Sequence, residues 1–204
     1  MCKIAGLRDD PFMKHGIENK TSYELHSTQL GDNDLEAIAN NRLLFCSEDK
    51  DNPVTLKKII PNNELRNYLF ELSGNSPRDF FALLSEIQLN DCGDCVEYFS
   101  HEAVNEGTLK FCKQYDFQAA RTSKENIKSW INRLLAIKRG TFTIDEYSSI
   151  LGISKTQTAK HIIIMIDLDF IKPSIFLSCK GDKMYEVIDP RIVHLMSRGV
   201  MSLD

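Results

Sequence analysis

The sequence of 204 residues predicts a mainly α-helical protein, with a helical domain over residues 1–120 followed by a winged helix-turn-helix domain over residues 121–204. Two patterns predict this class. Apolar residues recur at helical spacing along much of the chain, and residues 143–188 follow the order helix, turn, helix, hairpin. The charge distribution agrees with a DNA-contacting module on a larger scaffold, because a basic C-terminal part follows an acidic body. Residues 1–123 carry 13 Lys+Arg and 20 Asp+Glu, a net of −7, and residues 124–204 carry 12 and 9, a net of +3, which sum to the −4 of the chain.

The helical domain is predicted from apolar spacing and from capping residues. Residues 3–7 form an apolar run typical of a short buried strand, and weak alternation over residues 23–30 is compatible with a second one. The clearest helix start is at Ser76-Pro77, where a capping residue precedes a proline in the first helical position. Helices are predicted over residues 34–44, 63–72, 77–89, 96–104 and 108–115, with a linker at residues 119–125.

The second domain shows the order of a winged helix-turn-helix. Gly152 provides a tight turn between two helices, and Ser154 caps the second of them. A polar turn at residues 179–184 then separates two short strands. In this plan the second helix of the pair enters the major groove of DNA. The predicted helices and strands cover residues 126–137, 144–151, 155–167, 175–177 and 185–188.

Polar side chains on the second helix and on the hairpin are candidates for contact with DNA. Lysine and glutamine suit base edges and phosphates alike, and threonine forms hydrogen bonds or meets a thymine methyl group. Lysines of the hairpin are expected to hold the wing against the DNA backbone. The predicted DNA-binding residues are Lys155, Thr156, Gln157, Lys160, His161, Lys180 and Lys183. A solvated helix face would show the same polar pattern.

Three stretches in the first domain carry a resemblance to a known family. Residues 3–10 (KIAGLRDD) resemble a late core strand with a sensor residue, and residues 30–43, with Leu30 before DNDLEAIANNRL, resemble the helix that opens a lid. Residues 72–84 (LSGNSPRDFFALL) resemble a lid helix with an arginine at its start. With the winged helix behind them, they resemble the C-terminal part of an AAA+-type P-loop ATPase, similar to origin-recognition ATPases and their bacterial relatives.

The resemblance implies a nucleotide-sensing role for two arginines. Arg78 would reach the γ-phosphate, and Arg8 with Asp9 would end the sensor strand. The competing interpretation pairs Arg78 locally with Asp79 or Glu71, and the residues alone favour it. The resemblance also implies a helical lid-like first domain and three kinds of partner: DNA, a P-loop ATPase core, and further copies of the chain joined through the lid.

The sequence departs from that family at the nucleotide site itself. It has no G-x-x-x-x-G-K-[ST] motif and no apolar strand that ends in paired acidic residues, so neither the phosphates nor Mg²⁺ find their usual ligands. We therefore expect no ATP hydrolysis by this chain, and ATP with Mg²⁺ only where another chain supplies a P-loop domain. The chain would be a fragment, a split subunit or a truncated relative.

Two other functions remain open on the sequence. Ile163 and Ile164 do not fit a solvated helix face, so the helix either ends early or packs against a neighbouring domain or a second chain. That pair favours a protein-interaction module that docks a partner ATPase subunit. A free-standing transcriptional regulator is the third interpretation, and it needs a ligand pocket in residues 1–123.

The spacing of the cysteines bears on metal binding, and the length of the apolar runs bears on the location of the protein. Cys92 and Cys95, with His101 and Cys112 downstream, could form a Cys₃His zinc site, but the second pair lacks the usual tight spacing and zinc is not expected. The six cysteines are expected to be reduced thiols. No apolar run is long enough for a membrane span or a signal peptide, which predicts a cytoplasmic location without membrane contact.

Overall fold

The computed structural model describes residues 32–47, 51–91, 98–118 and 126–203. These residues are mainly helical, with a small three-stranded sheet. The chain divides into two compact units, Met1–Thr108 and Leu109–Asp204, so the division precedes the predicted boundary after residue 120. Aromatic side chains beyond Thr108 pack within the second unit, which explains the earlier division. The predicted strands over residues 3–7 and 23–30 and the predicted linker lie outside the described residues.

The first unit consists of helices whose starts are set by local capping. The Asn62 side chain accepts a hydrogen bond from the Leu65 amide, and the Ser76 side chain accepts one from the Asp79 amide. Each cap satisfies an amide that the first turn leaves without a helical partner. The short helix Leu56–Ile59 was not predicted, because four residues are too few to show apolar side chains at helical spacing. The helices are α1 (Asp32–Cys46), α2 (Leu56–Ile59), α3 (Asn63–Leu72), α4 (Pro77–Asn90) and the first part of α5 (His101–Gln114).

The core of the first unit is aliphatic and aromatic. The rings of Phe70 and Phe80 lie with their centroids 4.9 Å apart, and both side chains are buried. At one point α5 approaches the backbone of α4 closely, because a Cβ atom on Gly107 would lie 2.4 Å from the Ile87 Cα atom. Only glycine fits such a crossing without a shift of the backbone. Other fully or nearly fully buried residues are Leu35, Leu56, Leu69, Leu72, Leu83 and Leu84.

The second unit contains a helix pair followed by an antiparallel hairpin. The elements after the end of α5 are α6 (Ile127–Ile137), β1 (Thr141–Thr143), α7 (Ile144–Leu151), α8 (Lys155–Asp167), β2 (Ile171–Leu177), β3 (Lys183–Val187) and α9 (Pro190–Ser197). Helices α7 and α8 have the predicted bounds, whereas β1 and α9 were not predicted. The strands lie in the order β1-β3-β2, which leaves β2 at an edge of the sheet.

The hairpin begins earlier than predicted. Strand β2 starts at Ile171, before Pro173, and Pro173 lies opposite Tyr185. An edge strand tolerates proline because the missing amide is not needed for a second neighbour. The pairing of β2 with β3 is irregular between Pro173 and Leu177. This irregularity shapes the exposed edge of the hairpin.

An aromatic and aliphatic core holds the helices of the second unit against the sheet. The Phe142 ring lies 5.6 Å from the Tyr147 ring and 6.2 Å from the Tyr185 ring, measured between centroids. Phe142 thereby joins β1, α7 and β3. Residues buried around it include Trp130, Ile131, Leu134, Ile162, Met165, Phe170, Ile192 and Leu195.

None of the helices that the structure describes is a candidate for a membrane span. Within residues 32–47, 51–91, 98–118 and 126–203, no helix combines the length and the apolar character that a bilayer span requires.

Candidate nucleic-acid interface

The turn between α7 and α8 is fixed by capping at three positions. Thr143 caps α7 in a reciprocal capping box with Glu146, and Gly152 ends α7 with φ of 64°, in the left-handed region. Ser154 then caps α8 in a second capping box with Gln157. These local bonds set the angle between the two helices, so the face that α8 presents is a consequence of the sequence in the turn.

Helix α8 has a buried side and an outward side. Thr158, Ile162 and Met165 are buried against the unit. The outward stripe, which we define as Thr156, Ala159, Lys160 and Ile163, is exposed, and its spacing places all four on one face of the helix. Three of its four members end in methyl groups and one in a charge. This composition is less polar than the sequence pattern predicts for a DNA-reading helix.

Lys155 lies at the start of α8 and is paired within the unit. Its Nζ atom lies 2.8 Å from Asp145 Oδ1. The hydrogen bond and the charge of Asp145 raise the pKa of Lys155, and the charge of Asp182 adds to the effect. Asp182 belongs to the hairpin turn, and the first strand of the hairpin, β2, packs against α8.

Gln157 has a structural role in capping α8 that was not predicted. Its Oε1 atom accepts a hydrogen bond from the Ser154 amide at 3.2 Å. The side chain is therefore folded back on the helix start, and its contact with base edges stays a prediction. The pattern Ser154 to Gln157 is that of a capping box and was readable in the sequence.

His161 also makes contacts that were not predicted. Its Nδ1 atom lies 3.3 Å from the Tyr147 hydroxyl, and its ring meets the Trp130 ring edge-on at 4.9 Å between centroids. Burial lowers the pKa of His161, and the charge of Arg133 lowers it further. The ring therefore packs against Tyr147 of α7 and Trp130 of α6, and the contact of His161 with DNA stays a prediction.

The hairpin carries lysines on both sides of its turn. Lys180 and Lys183 are exposed, as is Lys172 on β2, which pairs with Glu186 at 2.7 Å. Ser178 orders the turn by accepting hydrogen bonds from the amides of Lys180 and Asp182. Lys172 is missing from the predicted set because the sequence places it before the predicted strand.

The edge of the hairpin exposes three consecutive apolar side chains. Ile175, Phe176 and Leu177 are 89%, 68% and 64% exposed. They lie in the irregular part of β2, where pairing with β3 is interrupted. The sequence shows these residues as a strand, but it does not show that the strand is an edge with both faces in solvent. Exposed apolar patches of this kind mark surfaces that bind a partner.

The predicted nucleotide-sensing residues do not come together in the described part of the chain. Arg78 is exposed in the first turn of α4, and Arg8 lies outside the described residues. The implied phosphate contact by this pair therefore stays a prediction.

Of the four residues considered for zinc, the structure describes His101 and Cys112. Cys92 and Cys95 lie outside the described residues. His101 begins α5 and Cys112 lies 11 residues later on the same helix, about 16 Å along its axis, too far for both to ligate one ion. Burial also raises the pKa of the Cys112 thiol to about 12, which opposes the thiolate form that binds metals. In the described ranges, no group of three or more His, Cys, Asp or Glu side chains is arranged to hold a metal.

In the second unit, helices α7 and α8 are joined by a short turn and are followed by a hairpin that bears lysines. Comparison of the chain with protein-family models, curated proteins and solved structures gives no match.

Two histidines make the stability of the second unit depend on pH. Burial lowers the pKa of His161 and of His194 below the ordinary 6.5, with Arg133 and Arg198 as secondary causes. The unfolded chain then binds protons more readily than the folded one, so the free energy of unfolding should fall as the pH drops below 6.5. Each histidine contributes at most about 1.4 kcal/mol per pH unit. Urea unfolding at a series of pH values measures this slope, and an unchanged slope in the His161→Gln, His194→Gln double variant would contradict it.

Proposed function

We propose that this protein binds double-stranded DNA through a winged helix, with α8 in the major groove and the β2–β3 hairpin on the neighbouring backbone. The observation that carries the proposal is the placement of the lysines. Lys160 lies on the outward stripe of α8, and Lys180 and Lys183 are exposed in and just after the turn of the hairpin whose first strand packs against α8. Exposed cations on a helix and on the hairpin beside it suit the regularly spaced phosphates of a duplex.

We place Thr156, Ala159, Lys160 and Ile163 of α8 against the duplex, with the hairpin lysines beside them. Gln157 caps its own helix and His161 packs against Tyr147 and Trp130, so we assign these two side chains a smaller part. Lys155 is partly neutralised by Asp145, which reduces its attraction for phosphate. Few cations remain, and we therefore expect weak binding by a single chain. Tight binding would need several copies held together.

The resemblance to AAA+-type ATPases adds a proposal about the assembly in which this chain acts. In that assembly, the chain supplies the lid-like and DNA-binding parts, and another chain carries the P-loop ATPase core. Its support is the order of the predicted elements, from the sensor strand through the lid helices to the winged helix. The part that would sense nucleotide, Arg8 and Arg78, does not contribute to the DNA proposal and is tested separately by nucleotide binding.

The test of DNA binding is its dependence on salt. Binding of the full chain to a labelled duplex, followed by fluorescence anisotropy, should weaken with salt with a log–log slope of about −0.9 for each phosphate contact. Lys160→Ala and Lys183→Ala should each weaken binding to all duplexes alike and flatten the slope by about one unit. Lys113→Ala is the matched control, since it removes an exposed lysine in the last turn of α5.

Two outcomes would overturn the DNA proposal. One is the absence of binding at low salt and high protein concentration, and the other is a slope that responds equally to Lys113→Ala and Lys160→Ala. Since all three side chains are exposed, folding should be nearly unaffected.

A second candidate function is docking of a protein partner, and the exposed apolar edge of the hairpin favours it. Ile175, Phe176 and Leu177 together with Ile163 present large apolar side chains to solvent. A buried apolar interface depends little on salt, whereas phosphate contacts depend on it strongly. Association that persists at high salt and is abolished in Phe176→Ser therefore identifies docking in place of DNA binding.

A further inference from the structure

We propose that α8 selects thymine-containing DNA through methyl–methyl contacts, using the outward stripe Thr156, Ala159, Lys160 and Ile163. This inference rests on the proposed function. It starts from two side chains suited to hydrogen bonding with base edges: Gln157 Oε1 accepts from the Ser154 amide, and His161 Nδ1 lies 3.3 Å from the Tyr147 hydroxyl. With these two atoms engaged inside the unit, we assign base contact to the outward stripe.

What remains on the outward stripe is mainly apolar. Ile163 is 59% exposed, and Thr156 and Ala159 are exposed in the turns before it. From Thr156 to Ile163 the stripe extends about 10 Å along the axis, which matches about three base-pair steps. A helix in the major groove would hold this strip of methyl groups against the base edges.

Thymine is the base whose chemistry fits such a strip. In the major groove it presents a C5-methyl group beside its O4 acceptor, and none of the other three bases carries a methyl group there. Apolar side chains discriminate thymine through that methyl group. Lys160 lies within the stripe, and its ammonium group can donate to O4, to a purine N7 or to a phosphate. Charge complementarity with the duplex therefore accompanies the apolar contact, and it distinguishes DNA from an apolar protein surface as the occupant.

Replacing thymine by uracil tests the inference directly. A duplex in which deoxyuridine replaces thymidine keeps every phosphate and every hydrogen-bonding group and lacks only the methyl groups. The full chain should bind the deoxyuridine duplex more weakly, by about fourfold for one thymine methyl group that meets the stripe and roughly 15-fold for two. The salt slopes for the two duplexes should be equal, because the phosphate contacts are unchanged.

A variant links this discrimination to α8. Ile163→Ala should bind the two duplexes with nearly equal affinity while it keeps the salt slope. Val193→Ala, which truncates a partly exposed apolar side chain on α9, should keep the full discrimination. Both substitutions remove exposed side chains, so circular dichroism should show intact folding.

The outcomes separate this inference from the function on which it rests. Salt-dependent binding with equal affinity for the two duplexes overturns the thymine inference and leaves DNA binding in place. No binding to either duplex at low salt overturns both. Discrimination between the two duplexes that survives in Ile163→Ala also overturns the assignment to this stripe. A change in the oligomeric state of Ile163→Ala would overturn it as well, because it would show that a second copy of the chain covers the stripe.

Discussion

Gly107→Ala should destabilise the helical unit by about 3 kcal/mol or more. The added Cβ atom would lie 2.4 Å from Ile87 Cα and 2.6 Å from the Ile87 amide nitrogen, far inside contact distance. Both neighbours are backbone atoms of α4, so no side-chain rotation relieves the clash and the two helices must separate. Separation opens space beside Ile87, which is fully buried, and the poorer packing adds to the cost of the clash.

Thermal unfolding followed by far-ultraviolet circular dichroism measures the effect. We expect the melting temperature of the first unit to fall by roughly 10 °C or more. Gly140→Ala is the matched control, because a Cβ atom there meets nothing within 4 Å and the glycine is not in the left-handed region. The control should be neutral or slightly stabilising, by up to about 1 kcal/mol. If both variants melt within a degree of each other, the close crossing of α4 and α5 is refuted.

The chain's single tryptophan sharpens the experiment. Trp130 lies in the second unit, so its fluorescence reports that unit alone. Gly107→Ala should leave the unfolding of Trp130 fluorescence where it is in the parent protein, while the helical signal shifts. A shift of both signals by the same amount would show that the two units unfold together.

Elements set by short-range chemistry were predictable from the sequence. The observed α7 and α8 have the predicted bounds, because Gly152 and Ser154 fix the turn between them through bonds that span only a few residues. Helix α4 begins at Pro77 for the same reason. Capping patterns are local, and a local pattern is visible in the sequence.

Contacts between distant residues were not predictable in the same way. His161 looks like a solvated polar residue in the sequence, and its inward position depends on Trp130 and Tyr147, which lie on other helices. The exposure of Phe176 depends on β2 being the edge of the sheet, which follows from the pairing of β3 with β1. A single sequence carries no information on which elements pair. The contacts of His161 with Trp130 and Tyr147 were therefore not visible in the sequence.

A buried ion pair secures the end of the second unit. Arg191 Nε donates to Asp189 Oδ1 at 3.0 Å, and Arg191 Nη2 donates to Oδ2 at 3.4 Å. The two side chains are 11% and 3% exposed, and the guanidinium lies 3.9 Å from the centroid of the Tyr115 ring. Arg191 thus joins the start of α9 to the aromatic residues that follow α5.

Arg191→Ala should lower the free energy of unfolding of the second unit by about 3–5 kcal/mol, because it removes the guanidinium that pairs with the buried Asp189 carboxylate. Removal of the contact with Tyr115 adds to the effect. Urea unfolding followed by Trp130 fluorescence measures this. The matched control is Arg139→Ala, which breaks an exposed pair with Glu146 and should cost less than about 1 kcal/mol.

A double variant distinguishes loss of the counter-charge from loss of packing. Asparagine at position 189 keeps the helix cap that Asp189 provides for α9 and needs no counter-charge. Asp189→Asn combined with Arg191→Ala should therefore recover part of the stability that Arg191→Ala alone removes, since the buried negative charge that Arg191 balanced is gone. No recovery would assign the loss to the stacking on Tyr115 instead. If Arg191→Ala costs no more free energy of unfolding than Arg139→Ala, the buried pair stabilises the unit no more than a surface pair does. The contact between α9 and the residues at the end of α5 would then depend on apolar side chains alone.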